Sequence, residues 1–318
     1  MLKVALVGAR GYVGFELIQL IDQHPKTQLV AAYSREYAGQ KVADIVTEFS
    51  DDALCYIAEP LESLEKTEAD VIFLALPNDI ASAHKSLWHK LSQNSCIIDL
   101  SSDFRFNDEW TYGQPETCAD QIKGQRLIAN PGCYATASQL GLLPIINLLD
   151  GVPSIFGVSG YSGAGSKASE NNDPKRLKDN LKAYKLVNHI HENEINRVLG
   201  SDVYFMPHVA AFFRGIHLTI SIQLNEHSDV DTIKKLYQQF YQDCELIHVT
   251  DAIPEVQQVQ NTHHVNIGGF SVKGKHLVLC VCIDNLLKGA ATQAIQNMNL
   301  SLNLEMNLGI TQHTNIEL

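Results

Sequence analysis

No apolar run in this chain is long enough to cross a bilayer as a helix, so no membrane span is expected. Basic residues are also scarce: 24 Lys and Arg stand against 36 Asp and Glu, for a formal net charge of −12. A phosphate backbone demands a basic stripe, so the balance argues against a nucleic-acid partner. It does not argue against a phosphate-bearing small molecule, because one arginine or a nest of backbone N–H groups can oppose the global sign. A disulfide framework is missing too. The seven cysteines (Cys55, Cys96, Cys118, Cys133, Cys244, Cys280, Cys282) are odd in number and scattered, which fits reduced thiols in a cytoplasmic enzyme. Internal repeats, low-complexity tracts and long charge runs are absent. What remains is 318 residues with 45% hydrophobic and 19% charged content, enough chain for two globular domains.

The first third alternates short apolar runs with helical spacing. Strands are expected at Leu2 to Val7, Leu29 to Tyr33, Val71 to Leu76 (ended by Pro77) and Cys96 to Leu100, with helices over Gly14 to Asp22 and Ile80 to Leu91. This grammar implies a parallel, doubly wound α/β sheet that binds its ligand at the carboxyl ends of the strands. From about Val152 the pattern changes to longer strands of a mostly antiparallel sheet, at Ile155–Ser159, His217–Leu224 and His276–Ile283. A covering helix is expected over Asp229 to Tyr241. The polar stretch from Ser162 to Lys185 reads as a mobile loop, and a last helix, Ala290 to Leu300, should return to the first domain. The polar tail beyond Leu300 is expected to be partly disordered.

Gly8-Ala9-Arg10-Gly11-Tyr12-Val13-Gly14 joins the first strand to the first helix. Its glycines allow a tight turn and a close backbone approach, and the helix start presents N–H groups to a diphosphate. That context reads the opening of the chain as a nucleotide turn rather than a signal peptide. An NAD enzyme places Asp or Glu at the end of the second strand to bind the ribose hydroxyl. Here the chain reads Ala32-Tyr33-Ser34-Arg35, a hydroxyl and a guanidinium suited to a 2′-phosphate. Glu36 is one residue further and could serve the ribose, but the balance favours NADP.

Asn130-Pro131-Gly132-Cys133 is a turn running into a helix that should extend from Ala135 to Leu149. A thiol at a helix N-terminus gains thiolate character from the unpaired N–H groups and the dipole, which marks Cys133 as a nucleophile candidate. A base is available in His189-Ile190-His191-Glu192-Asn193-Glu194. If a helix begins there, His191 and Glu194 share a face, and the carboxylate can orient the imidazole. A rival reading makes His189 and His191 a metal pair, but His263-His264 is a poor source for a third ligand, and no metal is expected. Asn285 stands at a strand-to-helix junction within reach of a nicotinamide amide. Lys288, beside it, reads as a solvated or helix-entry charge, and His208 equally as a strand-capping or core residue or as a substrate contact. Cys280 and Cys282 share one strand face, where packing is their role.

With these motifs in hand, the chain resembles the N-acetyl-γ-glutamyl-phosphate reductases, arginine-biosynthesis enzymes related to aspartate-semialdehyde dehydrogenase. The resemblance runs in order through GARGYVGFEL, YSRE, DLSSDFRF, NPGCYATA, SGYSGAGSKAS, HIHENEI, PHVAAFFRGIH and DNLLKGAATQAIQNMN. It implies a Rossmann NADP-binding domain over residues 1–132 and 289–318, and an α+β glyceraldehyde-phosphate-dehydrogenase-like catalytic domain over 133–288. Cys133 matches the family nucleophile, His191 its acid/base and Glu194 the helper. Cofactor contacts are implied at Gly8, Arg10, Gly11, Tyr12, Val13, Gly14, Ser34 and Arg35, at Leu76 and Pro77, and at Ser162, Gly163 and Asn285. Substrate contacts are implied at Ser101, Arg105, Asn130 and Arg214. Relatives form dimers or tetramers, and a homo-oligomer is expected. The chain departs from the family pattern at Ala135 after the Cys-Tyr pair, at Ser166 in the SGAG loop, which removes a charge from the cofactor side, and at Asn193 between His and Glu.

The reaction implied is NADPH-dependent reduction of N-acetyl-γ-glutamyl phosphate through a thioester. Two alternatives stay open: a related acyl phosphate (N-acetyl-aminoadipyl or aspartyl), or a non-catalytic NADP-sensing regulator that kept the fold.

Overall fold

The computed structural model describes residues 1–47 and 49–310. They divide into two compact units, Met1–Pro131 joined by the chain from Ala290 onward, and Gly132–Gly289.

The sheet of the first unit has seven strands, β1 (Leu2–Val7), β2 (Thr27–Tyr33), β3 (Tyr56–Ile57), β4 (Val71–Leu74), β5 (Cys96–Asp99), β6 (Thr111–Tyr112) and β7 (Leu127–Ala129). Their order is β3-β2-β1-β4-β5-β7-β6, and every neighbouring pair is parallel. The runs in β4 and β5 are buried at every residue, as a sheet covered on both faces requires. Strand order reverses between β1 and β4, so the crevice at their carboxyl ends lies where the Gly8–Gly14 loop emerges. β4 stops at Leu74, two residues earlier than the sequence predicts. There the backbone of Gly8 crosses it at φ +86°, and a Cβ on Gly8 would lie 2.1 Å from the Ala75 carbonyl oxygen. The helix expected from Ile80 starts only at Lys85 (Lys85–Leu91), after a 3₁₀ turn at Ser82–His84. The preceding loop is held instead by the Asp103 carboxylate, which accepts the N–H groups of Asp79 (2.7 Å) and Ser82 (2.9 Å).

The returning helix, Thr292–Ser301, is buried at every residue and packs on the helices Tyr12–Gln23 and Pro115–Ile122 and on β5. A buried face this polar must satisfy its amides internally. Asn297 Nδ2 donates to Gly113 O (2.8 Å) and Asn130 Oδ1 (2.9 Å). Asn299 Nδ2 donates to Met306 O and Leu308 O, while its Oδ1 lies 3.1 Å from His24 Nε2. These bonds pin the tail as far as Ile310, which is buried, so this part of the tail expected to be disordered is packed. Residues 311–318 lie outside the described residues.

The second unit has the sheet order β12-β13-β14-β11-β8-β10-β9, from β8 (Ser154–Gly160), β9 (Leu181–Ala183), β10 (Tyr204–Ala210), β11 (Ile216–Gln223), β12 (Ile247–Val249), β13 (Val265–Lys273) and β14 (His276–Ile283). Two pairs, β8–β10 and β12–β13, are parallel and the others antiparallel. β10 and β13 are hidden in the sequence pattern because each carries a strand-breaking signal. Pro207 sits inside β10, and Gly268-Gly269 mark a bulge in β13. The segment read as a mobile loop holds a 3₁₀ turn (Tyr161–Ala164), a single helical turn (Pro174–Leu177) and the edge strand β9.

Alternate residues of β8, β10 and β11 face the core, where the helix Cys133–Leu142 lies on β14 and β11 and beside the helix Ile190–Leu199. This central helix ends at Leu142, not at 149. Pro144 has no N–H to give the Leu140 carbonyl, and the chain tightens into 3₁₀ geometry over Leu143–Leu148. The carbonyls left over are taken by tyrosine hydroxyls of the covering helix segment, Tyr241 on Leu140 O (2.6 Å) and Tyr237 on Gly141 O. That covering helix, Val230–Phe240, is capped by Asp229, whose side chain accepts Thr232 N–H (2.8 Å).

Asn297→Leu keeps the volume of the returning helix but strips the donor from two buried acceptors. The expected cost is about 2 kcal/mol, read as a lower urea midpoint with an unchanged slope. An unaltered midpoint would show that these bonds contribute nothing net.

Candidate active site

In the second unit, Cys133 is the first residue of its helix, and Gly132 is the N-cap in extended conformation. The thiol therefore sits at the positive end of a ten-residue buried helix. The helix Ile190–Leu199 carries His191 and Glu194 one turn apart and ends on Gly200 in the left-handed region. Glu194 is 1% exposed. One of its oxygens accepts the Gly132 N–H at 3.0 Å, and the other lies 3.9 Å from His191 Nε2. A single buried carboxylate thus joins the cap of the cysteine helix to the imidazole. The expected His191–Glu194 pairing is present, and Asn193 leaves the helix start intact.

The imidazoles are walled by aromatic rings. Tyr134, next to Cys133, lies 6.0 Å from His191, 6.5 Å from His189 and 5.0 Å from Phe205, centroid to centroid. Its hydroxyl donates to His208 O at 2.8 Å and is hydrogen-bonded to the Tyr184 side chain. Burial, reinforced by the neighbouring Cys133 charge, pushes the Tyr184 phenol well above its ordinary range. His189 is 6% exposed, and burial pulls its imidazole down to about 3, with His191 and Lys185 adding to the shift and Glu194 opposing it. His208 keeps to the strand: its Nδ1 lies 3.0 Å from Met206 O and its ring packs at a tilt against Phe156.

A turn of π-helix, Leu287–Ala291, supplies a further wall. A Cβ on Gly289 would stand 2.7 Å from Cys133 Cβ, so this turn packs directly against the cysteine. It is held by Asp284, which is fully buried, accepts the N–H groups of Leu286 and Leu287, and receives the Gly289 N–H on its main-chain carbonyl. Asp284 also receives the Arg214 fork, Nε at 2.6 Å and Nη2 at 3.0 Å. Arg214 is thus fixed by a carboxylate. Asn285 ties two loops, donating to Ser162 Oγ (3.0 Å) and accepting Gly215 N–H (2.7 Å), with Gly163 next to Ser162. Lys288, expected at the surface, is fully buried. Its helical turn belongs to the core, and no periodicity over so short a turn announces that.

In the first unit the loop Gly8–Gly14 and the helix start at Tyr12 form the expected turn, with Val13 in the first turn of the helix. A Cβ on Gly14 would lie 2.7 Å from Gly8 O, so the loop closes tightly on the helix. Ser34 is buried after β2 and Arg35 is exposed beside it. Glu36 is drawn into an ion pair with Arg10. Leu76 and Pro77 follow β4, half-buried and exposed, and the Leu76 N lies 3.3 Å from a Cβ placed on Gly8. The bare backbone of Gly8 beside the helix start at Tyr12 fits the diphosphate of a dinucleotide.

Arg105 is 7% exposed, its Nε donating to Asn130 O and its Nη2 to Leu100 O, both at 2.9 Å. Asp103, two residues before it, caps the preceding loop. Ser101 gives its hydroxyl to Asp99 Oδ2 at 2.7 Å. Burial pushes the Asp99 carboxyl up to about 6, against the hydrogen bonds from Ser101 and the Arg105 charge. Asn130 is a tie as well as a candidate ligand, donating to Ala290 O (3.3 Å) and accepting from Asn297. Among the described residues, no group of three or more His, Cys, Asp or Glu is placed to hold a metal ion. His264 stacks on His248 rather than joining the His189–His191 pair.

Residues 3–125 match the semialdehyde dehydrogenase NAD binding domain, and residues 133–285 match the semialdehyde dehydrogenase dimerisation domain. The bifunctional protein argC, mitochondrial, of Dictyostelium discoideum is 48% identical over 307 residues, covering 95% of this chain and 36% of its own length. The chain therefore spans about a third of that relative, and 35% of the similar arg-6 protein of Neurospora crassa. The N-acetyl-gamma-glutamyl-phosphate reductase of Stenotrophomonas maltophilia is 44% identical over 304 residues, covering 95% of this chain and 96% of its own. Among solved structures, aspartate semialdehyde dehydrogenase II of Vibrio cholerae superposes with a TM-score of 0.76 at 17% identity, over 94% of this chain and 98% of its own, a likeness of fold. Matched along nearly its whole length by a relative of nearly equal extent, the chain belongs to the N-acetyl-γ-glutamyl-phosphate reductase family.

Proposed function

We propose that the chain reduces N-acetyl-γ-glutamyl phosphate to N-acetyl-glutamate 5-semialdehyde and phosphate, with NADPH and through a thioester on Cys133, as a step of arginine biosynthesis. The observation that carries this reading is the Glu194 carboxylate, which reaches both the cap of the Cys133 helix and His191. A nucleophile, a base and an orienting group are thereby linked through one side chain.

The chemistry follows from the substrate. An acyl phosphate is an activated carboxylate, so a thiolate can displace phosphate from it. The Cys133 sulfur attacks the acyl carbon, and the C–O bond to phosphate breaks as the C–S bond forms. N–H groups at the Asn130–Cys133 turn stabilise the oxyanion. Arg105 holds the departing phosphate, its planar fork suited to phosphate and its position set by two backbone carbonyls. Arg214, fixed by Asp284, takes a carboxylate of the substrate, while Ser101 and Asn130 orient it. NADPH, when held by this chain, would supply the hydride that reduces the thioester carbon. His191 handles the proton as the carbon–sulfur bond breaks and the aldehyde leaves, with Glu194 stabilising the imidazolium.

The cofactor is held by the Gly8–Gly14 loop with Arg10, Gly11, Tyr12 and Val13, by Leu76 and Pro77, and by Ser162, Gly163 and Asn285. Ser34 and Arg35 take the 2′-phosphate. The Arg10–Glu36 ion pair supports NADP, because it engages the carboxylate nearest that phosphate. Residues 1–132 with 289–318 serve the cofactor, and 133–288 serve catalysis and assembly. We place the enzyme in the cytoplasm, where a reducing poise suits seven cysteines that form no disulfide. It assembles as a homo-oligomer through the second sheet, where Phe156 and Tyr204 point away from the core; light scattering reads the state directly.

Phosphate-dependent reduction of NADP is expected with N-acetyl-glutamate semialdehyde, and much weaker turnover with aspartate semialdehyde. Tight NADP binding without turnover of either aldehyde would make the chain a sensor instead. Cys133→Ser should lower kcat by about a thousandfold or more with NADPH affinity unchanged; full turnover would refute the thioester. Glu194→Gln keeps the acceptor for Gly132 but removes the charge. It should lower kcat by about a hundredfold and move the imidazole limb of the pH–rate profile to lower pH. Arg35→Asp should weaken NADPH against NADH by about tenfold or more, the loss of one charged hydrogen bond. An unchanged preference would reject this assignment of the second strand.

A further inference from the structure

The HIH motif contains a second histidine for which the reaction has no use. His189 is the N-cap of the helix that carries His191 and Glu194, and its Nδ1 accepts the His191 backbone N–H at 3.1 Å. Histidine lies outside the preferred capping set of Ser, Thr, Asp and Asn. To accept this bond its Nδ1 must be the bare nitrogen, so the ring must be neutral with its proton on Nε2. We propose that His189 is a positioning residue: a neutral imidazole cap that sets the angle at which His191 leaves its helix and holds it between Glu194 and Cys133. The inference rests on the reading of Cys133 and His191 as nucleophile and base.

The surroundings favour that neutral form. The ring is enclosed by Tyr134 from the cysteine helix, by Phe205 from β10 (5.3 Å), by Tyr184 beyond β9 (5.7 Å) and by His191 on its own helix (4.9 Å). The charged and titratable groups facing it are His191, Lys185, Glu194 and the phenols of Tyr134 and Tyr184. Burial and the two nearby bases hold its proton affinity down, so His189 stays uncharged while His191 cycles. The arrangement separates two adjacent imidazoles into different tasks. Protonation of His189 would break the cap and set a second positive charge against the working ring. An aspartate cap would instead add a second buried carboxylate beside Glu194, at a desolvation cost.

Two substitutions separate the cap from the ring. Asn places its Oδ1 close to where His places Nδ1, keeping the acceptor and losing the aromatic packing. Phe keeps the ring and loses the acceptor. The readouts are kcat and the pH dependence of Cys133 alkylation by iodoacetamide, followed by mass spectrometry. On the proposal, His189→Asn retains at least half of the wild-type kcat and its alkylation profile. His189→Phe, folded by circular dichroism, loses about tenfold in kcat, and its alkylation midpoint moves to higher pH because His191 no longer supports the thiolate. The proposal is overturned if Asn does as badly as Phe, if both behave as wild type, or if Phe outperforms Asn. Failure of the underlying reading looks different: wild-type Cys133 would then alkylate no faster below pH 8 than an ordinary thiol.

Discussion

The Glu194 carboxylate is buried to 1% exposure, with one oxygen on the Gly132 N–H and the other toward His191. A carboxylate taken out of water is costly unless hydrogen bonds and opposite charge replace its hydration. This requirement organises the second unit. The N-terminus of the Cys133 helix provides an N–H and the positive end of a dipole, and the neighbouring imidazole provides a counter-charge when protonated. The cysteine helix and the histidine helix are therefore tied at their working ends by the group whose burial requires them both.

The rest of the unit holds those ends still. The cysteine helix is buried from Tyr134 to Leu142; Tyr241 takes the Leu140 carbonyl that Pro144 leaves without a donor, and Tyr237 takes the Gly141 carbonyl. Asp284 organises the opposite side, pinning Arg214 and the π turn whose Gly289 lies against Cys133. Each of these groups carries a polar atom that would be costly to bury alone. In combination they are satisfied, and such a network resists displacement of any one member. Tyr134 adds a floor to the imidazoles and anchors it to β10 through His208 O.

In the first unit the corresponding constraint is the close crossing of Gly8 over Ala75, which leaves room for no side chain. It sets the loop at the point where strand order reverses. Asn130 belongs to the same logic: its carbonyl and side-chain oxygens accept from Arg105 and Asn297, while its main-chain and side-chain N–H groups donate to the Asp99 and Ala290 carbonyls. The turn before the cysteine is thus anchored by the helix that closes the chain.

Much of this was legible in the residues. Period-two and helical spacing, the Gly-rich turn and the Asn-Pro-Gly-Cys segment gave the α/β architecture, the nucleotide loop and the cysteine, because those signals are local and depend on backbone conformation. The i,i+3 spacing of His191 and Glu194 depended only on a helix starting at residue 190, which it does. β10 and β13 were hidden by Pro207 and Gly268-Gly269, residues that ordinarily end strands but sit here at tolerated positions in a sheet. Lys288 read as solvated because a polar side chain signals exposure unless distant elements enclose it, and here they do.

By itself the sequence determined which residues were chemically able to act: a thiol at a helix start, an imidazole with a carboxylate one turn on, arginines beside loops. Tertiary structure alone decided who meets whom. Glu194 reaches Gly132 across 62 residues, and Arg214 reaches Asp284 across 70. Contacts at such separations are selected by the packing of whole elements, and burial then fixes their strength; neither leaves a mark in the local pattern.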